Sequence, residues 1–255
     1  MDLERARQEW EGLNYMERLA HTVKTLNASA RTADSIAAAT LKAAERDVGR
    51  PSTCSSCTGA WCCDMVVYAS AIEALYLTRG IGGTELDSEA GADELCRLGR
   101  EQLAVRPDEW FAKHIPCPLL KDKRCSAYQY RTLTCKRYYV WCDPGACNVI
   151  YTEKPEMREM KVTELLLGIM PQYWALHQLW EFGTAMGPLP LVLGTVIKGL
   201  YTGTSEGLTR TVQEAKLAPG SKHSMTARLF WAGIDIGGKR KKVPLGRMAC
   251  RKQRG

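Results

Sequence analysis

Seven of the eleven cysteines in this chain fall into two tight constellations, and that placement constrains the fold more than any other feature. The first reads Cys54-Ser-Ser-Cys57-Thr-Gly-Ala-Trp-Cys62-Cys63. The second reads Cys117-Pro-Leu-Leu-Lys-Asp-Lys-Arg-Cys125 and runs through Ser-Ala-Tyr128-Gln-Tyr130-Arg131-Thr-Leu-Thr to Cys135, with Cys142 and Cys147 following. Thiols gathered this way across a gap of more than fifty residues point to a metal site that closes only when the chain folds back on itself.

Disulfides are the competing explanation, and the redox compartment decides between them. The opening run Met1-Asp-Leu-Glu-Arg-Ala-Arg-Gln-Glu-Trp10 is charged and helical in pattern, without the apolar core or small-residue cleavage site of a secretory signal. This predicts a cytoplasmic protein, and in a reducing cytoplasm clustered cysteines serve as metal ligands or redox groups more often than as crosslinks. An odd number of cysteines also fits poorly with complete pairing.

The spacing has chemical consequences. Two thiolates in Cys54-x2-Cys57 can turn back on one ion while backbone N–H groups point at sulfur, the arrangement of a metal knuckle. Cys62 and Cys63 are harder to use at one centre, because neighbouring side chains diverge. One of them is a ligand and the other a packing or redox thiol, or the pair bridges two sites. Pro118 stiffens the entry to the second constellation, and Lys121-Asp122-Lys123-Arg124 forms a polar turn across which Cys117 and Cys125 can approach. Seven thiols exceed the four that one zinc ion or one [4Fe-4S] cluster needs, and the spacing leaves zinc and iron–sulfur open.

The rest of the chain reads as mainly α: a helical domain around a cysteine-rich, loop-dominated metal site with little strand. Trp10, Leu13, Met16, Leu19, Val23 and Leu26 form a helical stripe, and a second helix is expected over about 35–47, stopped by Gly49 and Pro51. Met65 to Tyr68 is β-prone. Ser70-Ala-Ile-Glu73 has capping-box spacing for a helix ending near Gly80, which assigns Glu73 to the cap rather than to a metal. Another helix is expected over about 88–105, with Leu95, Leu98 and Leu103 inward and Cys96 a buried free thiol. Val162, Leu165, Leu166, Ile169, Met170, Tyr173, Trp174, His177 and Trp180 mark a later helical face that Pro171 kinks, on which His177 reads as a core residue.

Four regions follow: a helical arm over 1–50, a cysteine-cluster metal-binding domain over 51–148, a C-terminal helical region over 149–236 and a basic, disordered tail over 237–255. The apolar stretch from Leu189 to Leu200 is too short to span a bilayer and carries Pro190 and Lys198, so a buried helix or a loop is expected. The net charge of +7 belongs to the tail: eight of the 35 Lys and Arg residues lie between Lys239 and Arg254, where there is no acid. Such a run can grip the phosphates of a nucleic acid or an acidic partner, or be a solvated terminus.

The pattern Cys54-x2-Cys57-x4-Cys62-Cys63, Cys117-Pro-Leu-Leu, Cys125-Ser-Ala-Tyr128 and Arg131-Thr-Leu-Thr-Cys135-Lys-Arg-Tyr resembles the YkgJ-type cysteine-cluster family, also described as CxxCxxCC proteins and regarded as zinc- or iron-chelating. The resemblance covers roughly Ser52 to Tyr139, about a third of the chain. This chain has four residues between Cys57 and Cys62 where the family has two, and Thr132 where the family has proline. The resemblance implies that Cys54, Cys57, Cys62, Cys63, Cys117, Cys125 and Cys135 form the site, with Tyr128 and Arg131 close to it. Arg131 then neutralises thiolate charge or holds an anion, and Tyr128 donates to sulfur; a surface arginine and a packed tyrosine are the plainer roles.

The expected function is therefore a metal-binding protein that chelates zinc or iron, possessing either a zinc ion or a [4Fe-4S] cluster. Two alternatives stay open. The family resembles the cysteine-rich portion of the flagellin lysine methylases, which implies a protein-modifying enzyme. The only glycine-rich candidate for a cofactor loop, Gly80-Ile-Gly82-Gly83-Thr, follows a helix rather than a strand and reads as a turn. The other alternative is a nucleic-acid-binding module that the metal orders and the tail completes.

Overall fold

The computed structural model describes residues 3–55, 60–136, 139, 141, 147 and 186–202. Helices take 68% of the described part, beside two small two-stranded sheets, so the protein is mainly α. The later helical face with His177, the basic tail, Cys57 and Cys142 lie outside the described residues.

The chain opens with α1 (Leu3–Glu11) and α2 (Tyr15–Val48). The stripe from Trp10 to Leu26 is thus divided at Asn14, whose side chain accepts from the Glu17 N–H at 3.0 Å while Glu17 accepts from the Asn14 N–H at 2.8 Å. Beyond that capping box, α2 runs 34 residues without a break, absorbing the separate helix expected over 35–47. Its alanine-rich sequence contains no glycine or proline to interrupt it, and Gly49, left-handed at φ 74°, ends it. Leu26, Ala30 and Ala37 are buried along one side and belong to the same core as the helices that follow.

The centre of that core is α3 (Ala71–Ile81), buried nearly throughout. The expected box caps it: the Ser70 N–H donates to Glu73 at 2.9 Å, and the Glu73 N–H to the Ser70 hydroxyl at 3.2 Å. Glu73 is thereby committed to the helix start. Immediately before it, β1 (Tyr68–Ser70) shares only Tyr68 with the β-prone segment expected over Met65 to Tyr68; β2 (Leu120–Lys121) and β3 (Arg124–Cys125) follow in the second cysteine constellation. Next come α4 (Glu89–Ala104), with Leu95, Cys96 and Leu103 buried and Leu98 half-buried, and the short α5 (Pro107–Phe111).

Near the end of the described chain, β4 (Met186–Pro188) pairs antiparallel with β1, Ala69 opposite Gly187. It leads into the last described helix (Leu189–Thr202), which decides for a helix where the sequence left a buried helix or a loop open. This helix packs along α4 and also against α3. The approach to α4 is close enough to require glycine: a Cβ at Gly194 would stand 2.6 Å from the Ala92 carbonyl oxygen and 2.8 Å from the Cys96 sulfur. Cys96 is accordingly a buried free thiol, 3.8 Å from the Thr195 hydroxyl, with a packing role. No described helix is long and apolar enough to cross a membrane.

Candidate metal centre

The first constellation is delivered by the end of α2. Past Gly49, the Ser52 N–H donates to Glu45 at 2.8 Å, and a short 3₁₀ turn (Thr53–Ser55) carries Cys54. A second 3₁₀ turn (Trp61–Asp64) carries Cys62 and Cys63. It is entered through Ala60 in the left-handed region, φ 53°, and closed by the Cys63 N–H on the Ala60 carbonyl at 2.8 Å.

The second constellation begins where α5 ends. The buried Trp110 and Phe111 underpin a tight turn at His114, φ 48°, and the chain then reaches Cys117. There the Cys117 N–H donates to the Cys63 carbonyl at 2.7 Å, a direct backbone link between the two constellations. The polar turn is a two-residue hairpin: β2 (Leu120–Lys121) pairs with β3 (Arg124–Cys125), and Asp122 and Lys123 both take positive φ, 50° and 60°. Positive φ at both central positions matches the type I′ turn that suits the twist of paired strands. The hairpin sets Leu120 opposite Cys125 and returns Cys125 towards Cys117.

After the hairpin, a 3₁₀ turn (Tyr128–Tyr130) lies on α3. Gly80 makes this seat possible, since a Cβ there would come within 2.7 Å of the Ala127 Cβ and 2.8 Å of the Tyr130 ring. Gly80 is therefore a packing position inside a helix, and Gly83, φ 75°, is in the turn beyond it. Thr132 then starts α6 (Leu133–Lys136). Its hydroxyl accepts from the Cys135 N–H at 3.3 Å and also bonds the Cys135 thiol. Thr134 donates to the Tyr68 carbonyl at 3.3 Å, and the buried Lys136 ammonium reaches Asp34 of α2 at 2.6 Å. The helical turn that carries Cys135 is thus held from β1 and α2, and Thr132 bonds its thiol.

Cys62, Cys63, Cys117, Cys125 and Cys135 share one electrostatic neighbourhood. Burial first, and the charges of neighbouring thiols after it, push Cys117 up to about 12 and Cys135 up to about 11. Burial likewise raises Cys125. The Cys63 thiol donates to Cys62, which lowers Cys62 to about 7 and moves Cys63 strongly upward. Backbone N–H groups oppose the burial effect at two sulfurs, that of Leu119 at Cys117 and that of Ala127 at Cys125, each two residues on. The sequence puts such N–H···S contacts at Cys54 and Cys57, of which Cys57 lies outside the described residues; the structure shows them at Cys117 and Cys125.

Arg131 supplies the compensating charge. It lowers the pKa of Cys62, Cys125 and Cys135. Its guanidinium lies over the Tyr128 ring at 3.5 Å, donates to the Tyr128 carbonyl at 3.0 Å and bonds the Tyr139 hydroxyl. Tyr128 is thus a platform for Arg131. Cys54 joins this neighbourhood through Tyr139, which feels its charge.

Two residues not expected from the sequence stand beside the thiols. Asp64, buried, meets the His114 Nδ1 at 3.2 Å, and His114 packs against Trp61 and Phe111 with ring centroids 6.0 and 5.8 Å apart. Their signal was position: Asp64 follows Cys63, and His114 lies three residues before Cys117. The donor chemistry, thiols with N–H groups and an arginine around them, suits a thiophilic ion. Among the described residues no three Cys, His, Asp or Glu side chains stand in a geometry that grips one ion. No protein-family model, curated protein or solved structure matches the chain.

Proposed function

We propose that this protein is a metal-binding cysteine-cluster protein of the YkgJ type, chelating zinc or iron through Cys54, Cys57, Cys62, Cys63, Cys117, Cys125 and Cys135, with iron held as an ion or a [4Fe-4S] cluster. The observation that carries this reading is the folding of two sequence-distant constellations into one thiol neighbourhood, tied by the Cys117 N–H on the Cys63 carbonyl. Burial makes that neighbourhood costly for free thiolates, and a bound cation with Arg131 offsets their mutual repulsion. Thiols kept available for metal belong in a reducing compartment, so the protein is placed in the cytoplasm. The charge of the tail supports a salt-dependent contact with a nucleic acid or acidic partner, tested by deleting residues 239–255.

Metal content and the visible spectrum of protein purified without oxygen test the reading. Zinc in a colourless protein assigns a zinc site. Iron with sulfide and a broad visible band assigns a cluster. Protein that carries neither, and takes up neither on reconstitution, overturns it.

A further inference from the structure

The β2–β3 hairpin sets two cations directly across from each other: Lys121 stands opposite Arg124 in the register, and Lys123 occupies the turn between them. Like charges facing each other across an antiparallel pair repel, so this arrangement costs the hairpin stability. All three side chains are exposed, and among the described residues none of them forms an ion pair, not even with Asp122 beside them in the turn. Arg97 and Arg106, also exposed, each hold a carboxylate. Beyond β3 the Ser126 N–H donates to the Leu119 carbonyl at 2.8 Å, which continues the pairing, and Tyr128 follows on the 3₁₀ turn. The four residues from Arg124 to Tyr128 span at most about 14 Å of chain. Tyr128 is 58% exposed although the Arg131 guanidinium covers one face of its ring at 3.5 Å, so its open surface is the opposite face and edge. On the same turn the exposed Arg79 lies over the Tyr130 ring, 6.0 Å from its centroid.

We propose that the hairpin and Tyr128 form a binding surface for single-stranded nucleic acid, with Lys121, Lys123 and Arg124 on its phosphates and one base stacked on the open face of Tyr128. Unpaired cations beside an open aromatic face are what such a strand uses: the phosphates neutralise the cations, and an unstacked base lies flat on the ring. The strand also removes the repulsion between Lys121 and Arg124 that the fold leaves uncompensated. A duplex fits less well, because its base faces are hidden in the stack. An acidic peptide would meet the cations and leave the ring unused. The surface includes no thiol and is separate from the basic tail, so it stands whether or not the cysteine cluster carries metal.

The test titrates full-length protein, over a range of salt, with a fluorescein-labelled single strand of about twelve nucleotides, a length within the usual span of single-strand sites. The same strand as a duplex, and polyglutamate, are the comparison ligands. Every variant keeps the tail, so the tail's contribution cancels. Wild type is expected to bind the single strand more tightly than either comparison ligand. The triple variant Lys121→Gln, Lys123→Gln, Arg124→Gln is expected to flatten the slope of log K against log salt by about 2, since each single-strand phosphate contact contributes about 0.7. Its melting temperature is expected not to fall, because facing like charges are removed. Tyr128→Leu is expected to weaken the single strand about 5- to 150-fold, and Tyr128→Phe, which keeps the ring, to bind as wild type. Photocrosslinking of wild type to a strand carrying 5-iodouracil, followed by peptide mass analysis, is expected to mark Tyr128 and needs no variant to fold. An unchanged slope in the triple variant, or crosslinks confined to residues 239–255, assigns the contact to the tail and overturns the hairpin surface. Wild-type affinity in Tyr128→Leu overturns the stacking, and equal affinity for the duplex overturns the single-strand assignment. Equal affinity for polyglutamate overturns it in favour of an acidic protein partner, and absence of binding overturns it outright.

Discussion

The backbone N–H of Cys117 donates to the carbonyl oxygen of Cys63 at 2.7 Å, and through this bond two constellations far apart in sequence become one structure. The bond is made by main chain, so it holds whichever side chain occupies either position. A cysteine-to-serine exchange in the cluster therefore removes a sulfur donor while leaving the link between constellations. Cys135→Ser and Cys54→Ser are expected to lose most of the bound metal and to lower the melting temperature of the metal-loaded protein. Cys96→Ser, buried against the last described helix and remote from the cluster, and Cys250→Ser are expected to retain it. Metal analysis of the four variants checks this, and equal loss from all four would contradict the assignment.

The half-buried thiols of Cys117 and Cys135 fix how the metal-free protein responds to pH. Burial raises Cys135 from its ordinary 9.0 to about 11 and Cys117 to about 12. Thiols whose folded pKa lies above the unfolded value contribute stability that is complete below pH 9 and is lost as pH climbs through 11 and 12. The melting temperature of metal-free protein is expected to fall across that window, and less steeply in Cys135→Ala. With metal the sign reverses: binding displaces these protons, so zinc affinity weakens as pH falls. Thermal melts and zinc titrations across pH measure both.

Lys136 and Asp34 tie the cluster to the long helix. The ammonium is buried and the carboxylate half-exposed, 2.6 Å apart, so removing the carboxylate leaves a buried charge whose other partner among the described residues is the Gln129 carbonyl at 3.4 Å. Asp34→Ala is expected to cost about 1–3 kcal/mol, the range for leaving a buried donor short of a partner, since the Gln129 carbonyl still accepts from the ammonium. Lys136→Met in the same chain is expected to recover part of that loss, because an apolar side chain needs no partner. Urea unfolding of the two single variants and the double variant separates the pair energy from the burial cost.

Much of this architecture was legible locally. The box at Ser70 and Glu73, the stop at Gly49 and the turn at Asp122 and Lys123 are each written within a few residues, where spacing alone fixes the hydrogen bonds. The continuity of α2 through residues 27–34 was not legible, because the hydrophobic stripe fades there while alanine propensity and the absence of glycine or proline carry the helix on. At the site, cysteine spacing pointed to the two constellations meeting, and the described structure brings Cys62, Cys63, Cys117, Cys125 and Cys135 into one neighbourhood. The Asp64–His114 pair could not, since its partners are fifty residues apart and meet only after Cys117 docks on Cys63. Thr132 shows the same limit: it stands where the resembled family has proline, and only the fold shows its hydroxyl capping α6 and bonding the Cys135 thiol.

Two glycines at close approaches separate the stability of the fold from that of the site. Gly194 lies between the last described helix and α4, where an added Cβ meets the Ala92 carbonyl oxygen at 2.6 Å. Gly80 lies where α3 carries the cluster segment, and an added Cβ meets the Ala127 Cβ at 2.7 Å and the Tyr130 ring at 2.8 Å. Each contact is too short to persist, so both Gly194→Ala and Gly80→Ala are expected to destabilise by about 1–3 kcal/mol, the cost of overpacking. Their effects on the site differ. Gly80→Ala pushes away Ala127, whose N–H faces the Cys125 sulfur, and the turn leading to Arg131. It is expected to weaken zinc binding as well as stability, whereas Gly194→Ala, acting beside Cys96 and away from the cluster, is expected to lower stability and leave zinc affinity near wild type. Zinc titration alongside thermal melts of the two variants distinguishes them. Equal loss of affinity in both would mean that the helical core and the thiol cluster respond to packing as one unit.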